Sequence, residues 1–186
     1  MMRVCAVAEE LIARGLQVVF FGDITDISWV KEYVGSVGFS SILNTQSGIK
    51  FDSANDVLIV DSYTIDANSQ FVDKANWKQI IVLVDDFTPQ IQADLYIHAG
   101  AGTSWTVPEN IVNTRFLSGT AYIAIRKSLR SVIRESDMES PSGARVILVG
   151  GGSDSLEFCK SLAPVLSRFD SKFEATIFVS STTGLP

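Results

Sequence analysis

The sequence predicts an α/β protein that is built around a mainly parallel, Rossmann-like sheet. Strand and helix patterns alternate along the chain, and two strand patterns, VLIV at 57–60 and IIVLV at 80–84, are continuous apolar runs. Such runs are typical of central parallel strands, which are buried on both faces. Apolar residues make up 46% and charged residues 19% of the 186 residues, which is enough apolar side chain for a packed core.

The N-terminal elements come in an unusual order. The patterns predict helix, strand, helix and strand at residues 2–14, 17–23, 26–37 and 40–43. Gly15 ends the first helix, Asp26 caps the start of the second, and Gly38 follows its end. In a wound sheet a helix normally follows a strand, and ligands bind at the turn between them. We therefore expect a strand upstream of residue 1. Without it, the sheet would have an unpaired edge beside residues 17–23, through which two copies of the chain would pair.

The middle of the chain completes the predicted sheet. Strands are predicted at residues 56–62, 78–85, 93–97 and 115–117, and helices at residues 66–75 and 123–135. The strands at 56–62 and 78–85 are too apolar to have a wet face, so we expect them side by side at the centre of the sheet. The strand at 115–117 is short, and we expect it at an edge.

A linker divides the chain into two parts. The stretch ESDMESPSGA at 135–144 concentrates Ser, Pro and Gly between two well-patterned regions. We predict a Rossmann-like domain at residues 1–138, a linker at 139–143 and a β-α-β unit at 144–186. That unit contains a strand, a helix and a strand at residues 145–149, 156–169 and 174–179. One such unit cannot bury both faces of its sheet, so it either packs on the first domain or begins a second one.

Charge and composition exclude several functional classes. The net charge of -6 argues against sequence-independent binding to nucleic acid, which needs a dense basic surface. The sequence contains no run of about 18 apolar residues, so no transmembrane helix is predicted. Cys5 and Cys159 have no metal-binding neighbours at short spacing, and we interpret both as reduced core residues of a cytoplasmic protein without a metal site.

Five stretches, in this order, resemble one protein family. They are MRVCAVAEELIARG (2–15), VLIVDSY (57–63), VLVDDF with ADLYI (82–97), YIAIRKSLR (122–130) and LVGGGSDS (148–155). Together they are similar to the UDP-sugar hydrolase of pseudaminic acid biosynthesis and to its relatives in spore-coat polysaccharide synthesis. The resemblance implies the GT-B architecture, in which two Rossmann-like domains face each other across a cleft. This chain would hold a first domain without its first strand, and the start of the second domain.

The resemblance implies a nucleotide-sugar hydrolase or glycosyltransferase-like protein of surface-polysaccharide or nonulosonic acid biosynthesis. Its ligand would be a UDP-sugar, and it would need no cofactor. The family's catalytic His lies in a Gly-His turn before the helix that residues 2–11 match, and the chain's single His, His98, does not match it. We therefore expect this chain to be inactive by itself. The alternative is a non-catalytic partner or binding subunit derived from a broken GT-B chain. A dehydrogenase is disfavoured because the chain has no GxGxxG.

Polar residues at the ends of the two apolar strands are the strongest site candidates. Tyr63, for which we predict a catalytic role, follows the strand that Asp61 ends, and Asp85 ends the next strand. Open α/β sheets bind ligands at this edge, and a phenol can donate to a sugar or phosphate oxygen. The resemblance implies that the matching Tyr lies in the active site. The alternatives are that Tyr63 caps the sheet edge and that Asp86, beside Asp85, caps a turn.

The turn GGGSDS at 150–155 leads from a strand into a helix, so its N–H groups can approach an anion. By resemblance to the family's Gly-Gly-Ser-Asp turn, we predict ligand contacts for Gly151, Gly152, Ser153 and Asp154. The alternative is a tight turn with an ordinary N-cap. His98, which follows a strand, and Arg126, which matches an Arg near the family's interdomain crossover, are the remaining candidates for ligand binding. Their alternatives are a structural hydrogen bond and a solvated helix face.

Overall fold

A computed structural model describes most of the chain. The described residues are 2–22, 24, 28–43, 50–85, 90–100, 106–109, 111–132, 144–149, 155–168 and 173–178. The chain divides into two compact units, Met1–Val132 and Ile133–Pro186. Within the described residues, no helix has the length and apolar character needed to cross a membrane.

The first unit contains two parallel sheets, which confirms the predicted α/β class. The smaller sheet pairs β1 (Val19–Phe21) with β2 (Ser41–Leu43). The larger sheet has the strand order β3-β4-β5-β6, and all its neighbours are parallel. Its strands are β3 (Val57–Val60), β4 (Gln79–Val84), β5 (Leu95–His98) and β6 (Arg115–Ser118). The last of these is the short edge strand that the sequence predicts.

Two glycines end the first two helices, as expected. Helix α1 (Met2–Ala13) is followed by Gly15, whose φ of 81° lies in the left-handed region that favours glycine. Helix α2 (Ser28–Ser36) is followed by Gly38, which has a φ of 94°. The two helices share a small core in which Cys5 of α1 packs with Val30 and Val34 of α2.

The main core lies on one face of the larger sheet. It includes a group of aromatic rings, in which the planes of Phe71 and Trp77 meet at 77° with ring centroids 5.7 Å apart. The indole N–H of Trp77 donates to the carbonyl oxygen of Phe71 at 2.7 Å, so the buried polar atom is satisfied. Tyr96, from β5, is fully buried in the same core.

The sheet is divided between β1 and β3. Phe21 of β1 reaches the main core, where its ring lies 5.3 Å from the ring of Phe71, yet no ladder joins β1 to β3. Among the described strands, the outer edges of β1 and β3 therefore have no partner, as the sequence predicts for the edge of β1. Our prediction that β3 lies at the centre of the sheet is wrong, because β3 is the end strand of the order β3-β4-β5-β6. Leu58 and Val60 face the core, whereas Val57 is 44% exposed. An apolar run indicates which side chains are buried and does not show whether both edges of the strand are paired.

The helix predicted at residues 66–75 does not form. Two short 3-10 helices, Gln70–Val72 and Lys74–Asn76, replace it. The Ser69 hydroxyl accepts from the N–H of Phe71, and the Asp73 carboxylate accepts from the N–H of Ala75. These side-chain hydrogen bonds to the local backbone compete with the hydrogen bonds of an α-helix. Each of them caps the start of one of the two 3-10 helices.

The helix predicted at residues 123–135 is also much shorter. Of residues 123–132, which the structure describes, only Lys127–Arg130 (α3) form an α-helix, after a 3-10 turn at Thr120–Tyr122 and an extended segment. Arg126 has a ψ of 146°, so the helix cannot include it. The N–H of Lys127 instead donates to the carboxylate of Glu9 on α1 at 2.8 Å, which satisfies the first free donor of α3.

The second unit is the predicted β-α-β unit. Strands β7 (Ala144–Val149) and β8 (Phe173–Phe178) pair in parallel over six residues each, and α4 (Ser155–Leu166) lies between them in sequence. Cys159 belongs to α4. The predicted linker, residues 139–143, lies outside the described residues.

Candidate functional site

The carboxyl ends of β3 and β4 bring two aspartates to one edge of the larger sheet. Asp61 follows β3 directly and Asp85 follows β4 directly. The strands are parallel neighbours with Val60 opposite Val82, so both chains leave the sheet at the same edge. Ligands of open α/β sheets bind at this edge. The structure therefore brings together the two carboxylates that the sequence identifies.

Arg3, in the first turn of α1, joins the two aspartates. Its Nη2 atom lies 2.5 Å from Oδ1 of Asp61 and 3.4 Å from Oδ2 of Asp85. The Asp61 side chain is only 5% exposed, whereas those of Arg3 and Asp85 are 30% and 32% exposed. The ion pair thus has a buried end at β3 and an accessible end at β4.

Tyr63 completes the cluster. The Ser62 hydroxyl accepts from the N–H groups of Thr64 and Ile65, which turns the chain after β3. The Tyr63 hydroxyl then donates to Oδ2 of Asp85 at 2.6 Å, while the residue as a whole is 57% exposed. A tyrosine that is exposed yet held by its hydroxyl offers a ring face and oxygen lone pairs to a ligand. We call Arg3, Asp61, Tyr63 and Asp85 the strand-end cluster.

Hydrogen bonds and charges in the cluster shift the pKa values of Asp61, Arg3 and Tyr63. Burial by itself raises the pKa of Asp61, but hydrogen bonds and positive charge, with the hydrogen bond from Arg3 foremost, outweigh burial, so the pKa is below its usual value. Burial likewise lowers the pKa of Arg3, yet its bond to Asp61 raises the pKa overall. The hydrogen bond to Asp85 raises the pKa of Tyr63.

His98 lies at the end of β5 and faces the protein interior. It is 7% exposed, and its Nδ1 atom accepts a hydrogen bond from the N–H of Gly100 at 3.1 Å. A Cβ atom at position 100 would lie 2.4 Å from Cε1 of the ring, so only glycine fits beside it. These contacts are those of a structural hydrogen-bonding residue, and a ligand contact for His98 stays a prediction.

Arg126 lies at a different place in the first unit. Its guanidinium stacks over the ring of Tyr33 on α2, with 5.1 Å between the Arg126 carbon Cζ and the ring centroid. The Tyr33 hydroxyl donates to Glu9 at 2.9 Å, and burial together with this bond raises the pKa of Tyr33 to about 12. Glu9 lies six residues along α1 from Arg3, or about 9 Å along the helix axis. A ligand contact for Arg126 stays a prediction as well.

The remaining candidates lie outside the described residues. They are Gly151, Gly152, Ser153 and Asp154 of the turn before α4, and Asp86. Among the residues that the structure does describe, no group of three or more His, Cys, Asp or Glu side chains could hold a metal ion.

Arg3 is the member of the cluster that the sequence did not predict. The sequence nevertheless contains a signal for Arg3. A positive charge in the first turn of a helix interacts unfavourably with the helix dipole, and the first turn of α1 has no acidic residue that could offset this charge. Such a residue needs a negatively charged partner from elsewhere in the fold. The sequence alone does not reveal that this partner is Asp61, 58 positions away.

Comparison with known proteins finds no matching family profile, no similar curated protein and no similar solved structure.

Proposed function

We propose that the chain belongs to a nucleotide-sugar hydrolase or glycosyltransferase-like protein of surface-polysaccharide biosynthesis, with a GT-B arrangement of domains. The single observation that carries this proposal is the strand-end cluster. An exposed tyrosine, held by a carboxylate and an arginine at the carboxyl edge of a parallel sheet, can stack on a sugar ring and bond its hydroxyls. The five sequence stretches that resemble the UDP-sugar hydrolase family support the same proposal. A cytoplasmic location is part of it, and the buried free thiol of Cys5 supports that location.

The hydrogen-bonding groups of the cluster favour the sugar over the diphosphate as its ligand. Both carboxylates accept hydrogen bonds, and the guanidinium is already turned to Asp61 and Asp85. A phosphate also accepts, so it would find no donor in these carboxylates, whereas sugar hydroxyls can donate to Asp85 and accept from Tyr63. The predicted diphosphate contacts of residues 151–154 are a separate part of the proposal.

A second candidate function, non-catalytic binding, has its own support. Hydrolysis needs a base that takes a proton from water, and an efficient base has a pKa near the working pH. Arg3 holds the pKa of Asp61 below its usual value, and His98 is buried with one ring nitrogen bonded to the backbone. The described side chains of the cluster are thus suited to holding a ligand rather than to accepting its proton.

Calorimetry and a product assay test both candidates. We expect UDP and UDP-glucose to bind residues 1–186 weakly, with a Kd on the order of 1 mM, because a few hydrogen bonds must offset the entropy lost on association. We expect no release of UDP from UDP-glucose in a coupled assay. Micromolar binding of UDP alone would contradict the proposed placement of the sugar site. Enzymatic release of UDP would contradict the expectation that this chain is inactive.

A further inference from the structure

A single guanidinium nitrogen serves two neighbouring strands. Nη2 of Arg3 bonds Asp61 after β3 and lies within ion-pair distance of Asp85 after β4. The bond to Asp61 is buried and anchors the arginine, because the Asp61 side chain is only 5% exposed. The contact with Asp85 reaches outward, to a carboxylate that solvent and ligands can approach. Arg3 is therefore placed to set the position of Asp85.

Asp85 in turn determines the position of the Tyr63 hydroxyl. The Tyr63 ring lies on an exposed turn, and the described contact of its hydroxyl is the 2.6 Å bond to Oδ2 of Asp85. We propose that Arg3 is a positioning residue, which fixes Asp85 and through it the Tyr63 hydroxyl as a hydrogen-bonding surface for an uncharged sugar ring. The inference deepens the proposed function and rests on it for the identity of the ligand.

The hydrogen-bonding groups of the cluster explain why the ring should be uncharged. The donors of Arg3 that meet Asp61 and Asp85 are not available to an anion. A carboxylate on the sugar ring only accepts hydrogen bonds, so it cannot pair with the carboxylate of Asp85, which itself accepts from Tyr63. A ring that carries only hydroxyls can donate to Asp85 and accept from Tyr63.

Titration of the Tyr63 phenol tests the positioning role without any ligand. The chain has four tyrosines, so ¹³C-labelled tyrosine gives four ring signals, and Tyr63→Phe assigns the one of interest. In Arg3→Gln we expect the pKa of Tyr63 to fall toward its usual value of about 10, because Asp85 loses its contact with Arg3 and its hydrogen bond to Tyr63 weakens. If Arg3 were only a nearby positive charge, its removal would raise this pKa further, since that charge lowers the pKa of Tyr63 in the wild type. A rise would therefore overturn the proposal.

Three further variants keep this test decisive. Arg3→Lys keeps the charge but not the planar fork, and should give a smaller fall in the Tyr63 pKa. Asp85→Asn leaves Arg3 and Asp61 in place and should lower the pKa at least as much as Arg3→Gln. The matched control is Arg14→Gln, since Arg14 follows the same helix and bonds Glu10 at 2.8 Å, and it should leave the titration unchanged. An unchanged Tyr63 pKa in Asp85→Asn would overturn the proposal even if Arg3→Gln failed to fold.

Two nucleotide sugars that differ in one group test the preference for an uncharged ring. The probes are UDP-glucose and UDP-glucuronic acid, and the readout is the shift of the Tyr63 signal during each titration. We expect UDP-glucuronic acid to bind about tenfold more weakly, because an unpaired like charge near a protein surface costs roughly that much. Equal affinities would overturn the uncharged ring. If neither probe bound while the pKa of Tyr63 fell as expected, the proposed function and the sugar ligand would be refuted and the positioning role of Arg3 would stand.

Discussion

Replacing Asp61 by Asn should destabilise the first unit, because it weakens the charge-assisted bond that Asp61 accepts from Arg3. The Asp61 carboxylate is 5% exposed and accepts from Arg3 at 2.5 Å. Hydrogen bonds to charged groups contribute about 1.5–3 kcal/mol, and removing one partner leaves the other poorly satisfied. Arg3 is 30% exposed, so water replaces part of the lost contact, and we expect a loss of about 2 kcal/mol at pH 7. With a slope of about 2 kcal/mol/M, the urea midpoint should fall by about 1 M.

The pH dependence of this loss follows from the direction of the pKa shift. The folded protein lowers the pKa of Asp61 below the unfolded value of about 3.9, so the folded state favours the ionised form. Its contribution to stability is therefore complete above about pH 5 and is lost as the pH falls through the folded pKa. The difference between wild type and Asp61→Asn should be constant from pH 7 to pH 5 and should shrink below pH 4.

Urea unfolding followed by circular dichroism and tryptophan fluorescence at pH 7, 5 and 3.5 measures both effects. The matched control is Glu32→Gln, which removes one negative charge from an exposed position of α2 and should shift the midpoint very little. If Asp61→Asn behaved like this control at pH 7, or if its effect grew toward low pH, the ion pair could not have the role that we assign to it.

Two further predictions concern the sheet and the core. We expect the chain to form dimers through the unpaired outer edges of β1 and β3, and Val57→Lys to shift it toward monomers, since edge lysines oppose strand pairing. Light scattering across a wide concentration range checks this, and a wild type that stays monomeric throughout would contradict it. We also expect Gly100→Ala to cost about 1–3 kcal/mol, because the new Cβ would lie 2.4 Å from the His98 ring. Gly35→Ala is its control, since nothing lies within 4 Å of a Cβ there, and equal stability of the two variants would refute the crowding argument.

The parts of the fold that depend on local pattern are those that the sequence predicts well. The apolar run at β4 and the glycine after α1 each carry their own physical signal, and both elements form as expected. The helix predicted to start at residue 123 starts at Lys127, where the N–H group is bonded by a carboxylate of Glu9 that the fold brings from 118 positions away. No pattern within the segment reports such a long-range cap.

The candidate site also contains residues that the sequence predicts and contacts that it does not. Asp61 and Asp85 were predictable because the end of a parallel strand is visible as the end of an apolar run. The hydrogen bond between Tyr63 and Asp85 and the bridging role of Arg3 were not, because each depends on side chains that are distant in sequence. Their joint placement follows from the strand register and from the packing of α1, which only the folded chain defines.

Observing the Tyr63 ring while a nucleotide sugar binds tests the proposed sugar site most directly. Protein labelled with ¹³C-tyrosine should be titrated with UDP-glucose to about 10 mM, which is well above the expected Kd. We predict that the Tyr63 signal shifts and saturates, while the signal of Tyr96, which is fully buried in the core, does not move. The proposed site would be contradicted if the Tyr63 signal stayed fixed to the highest concentration, or if Tyr33 or Tyr122 responded in its place.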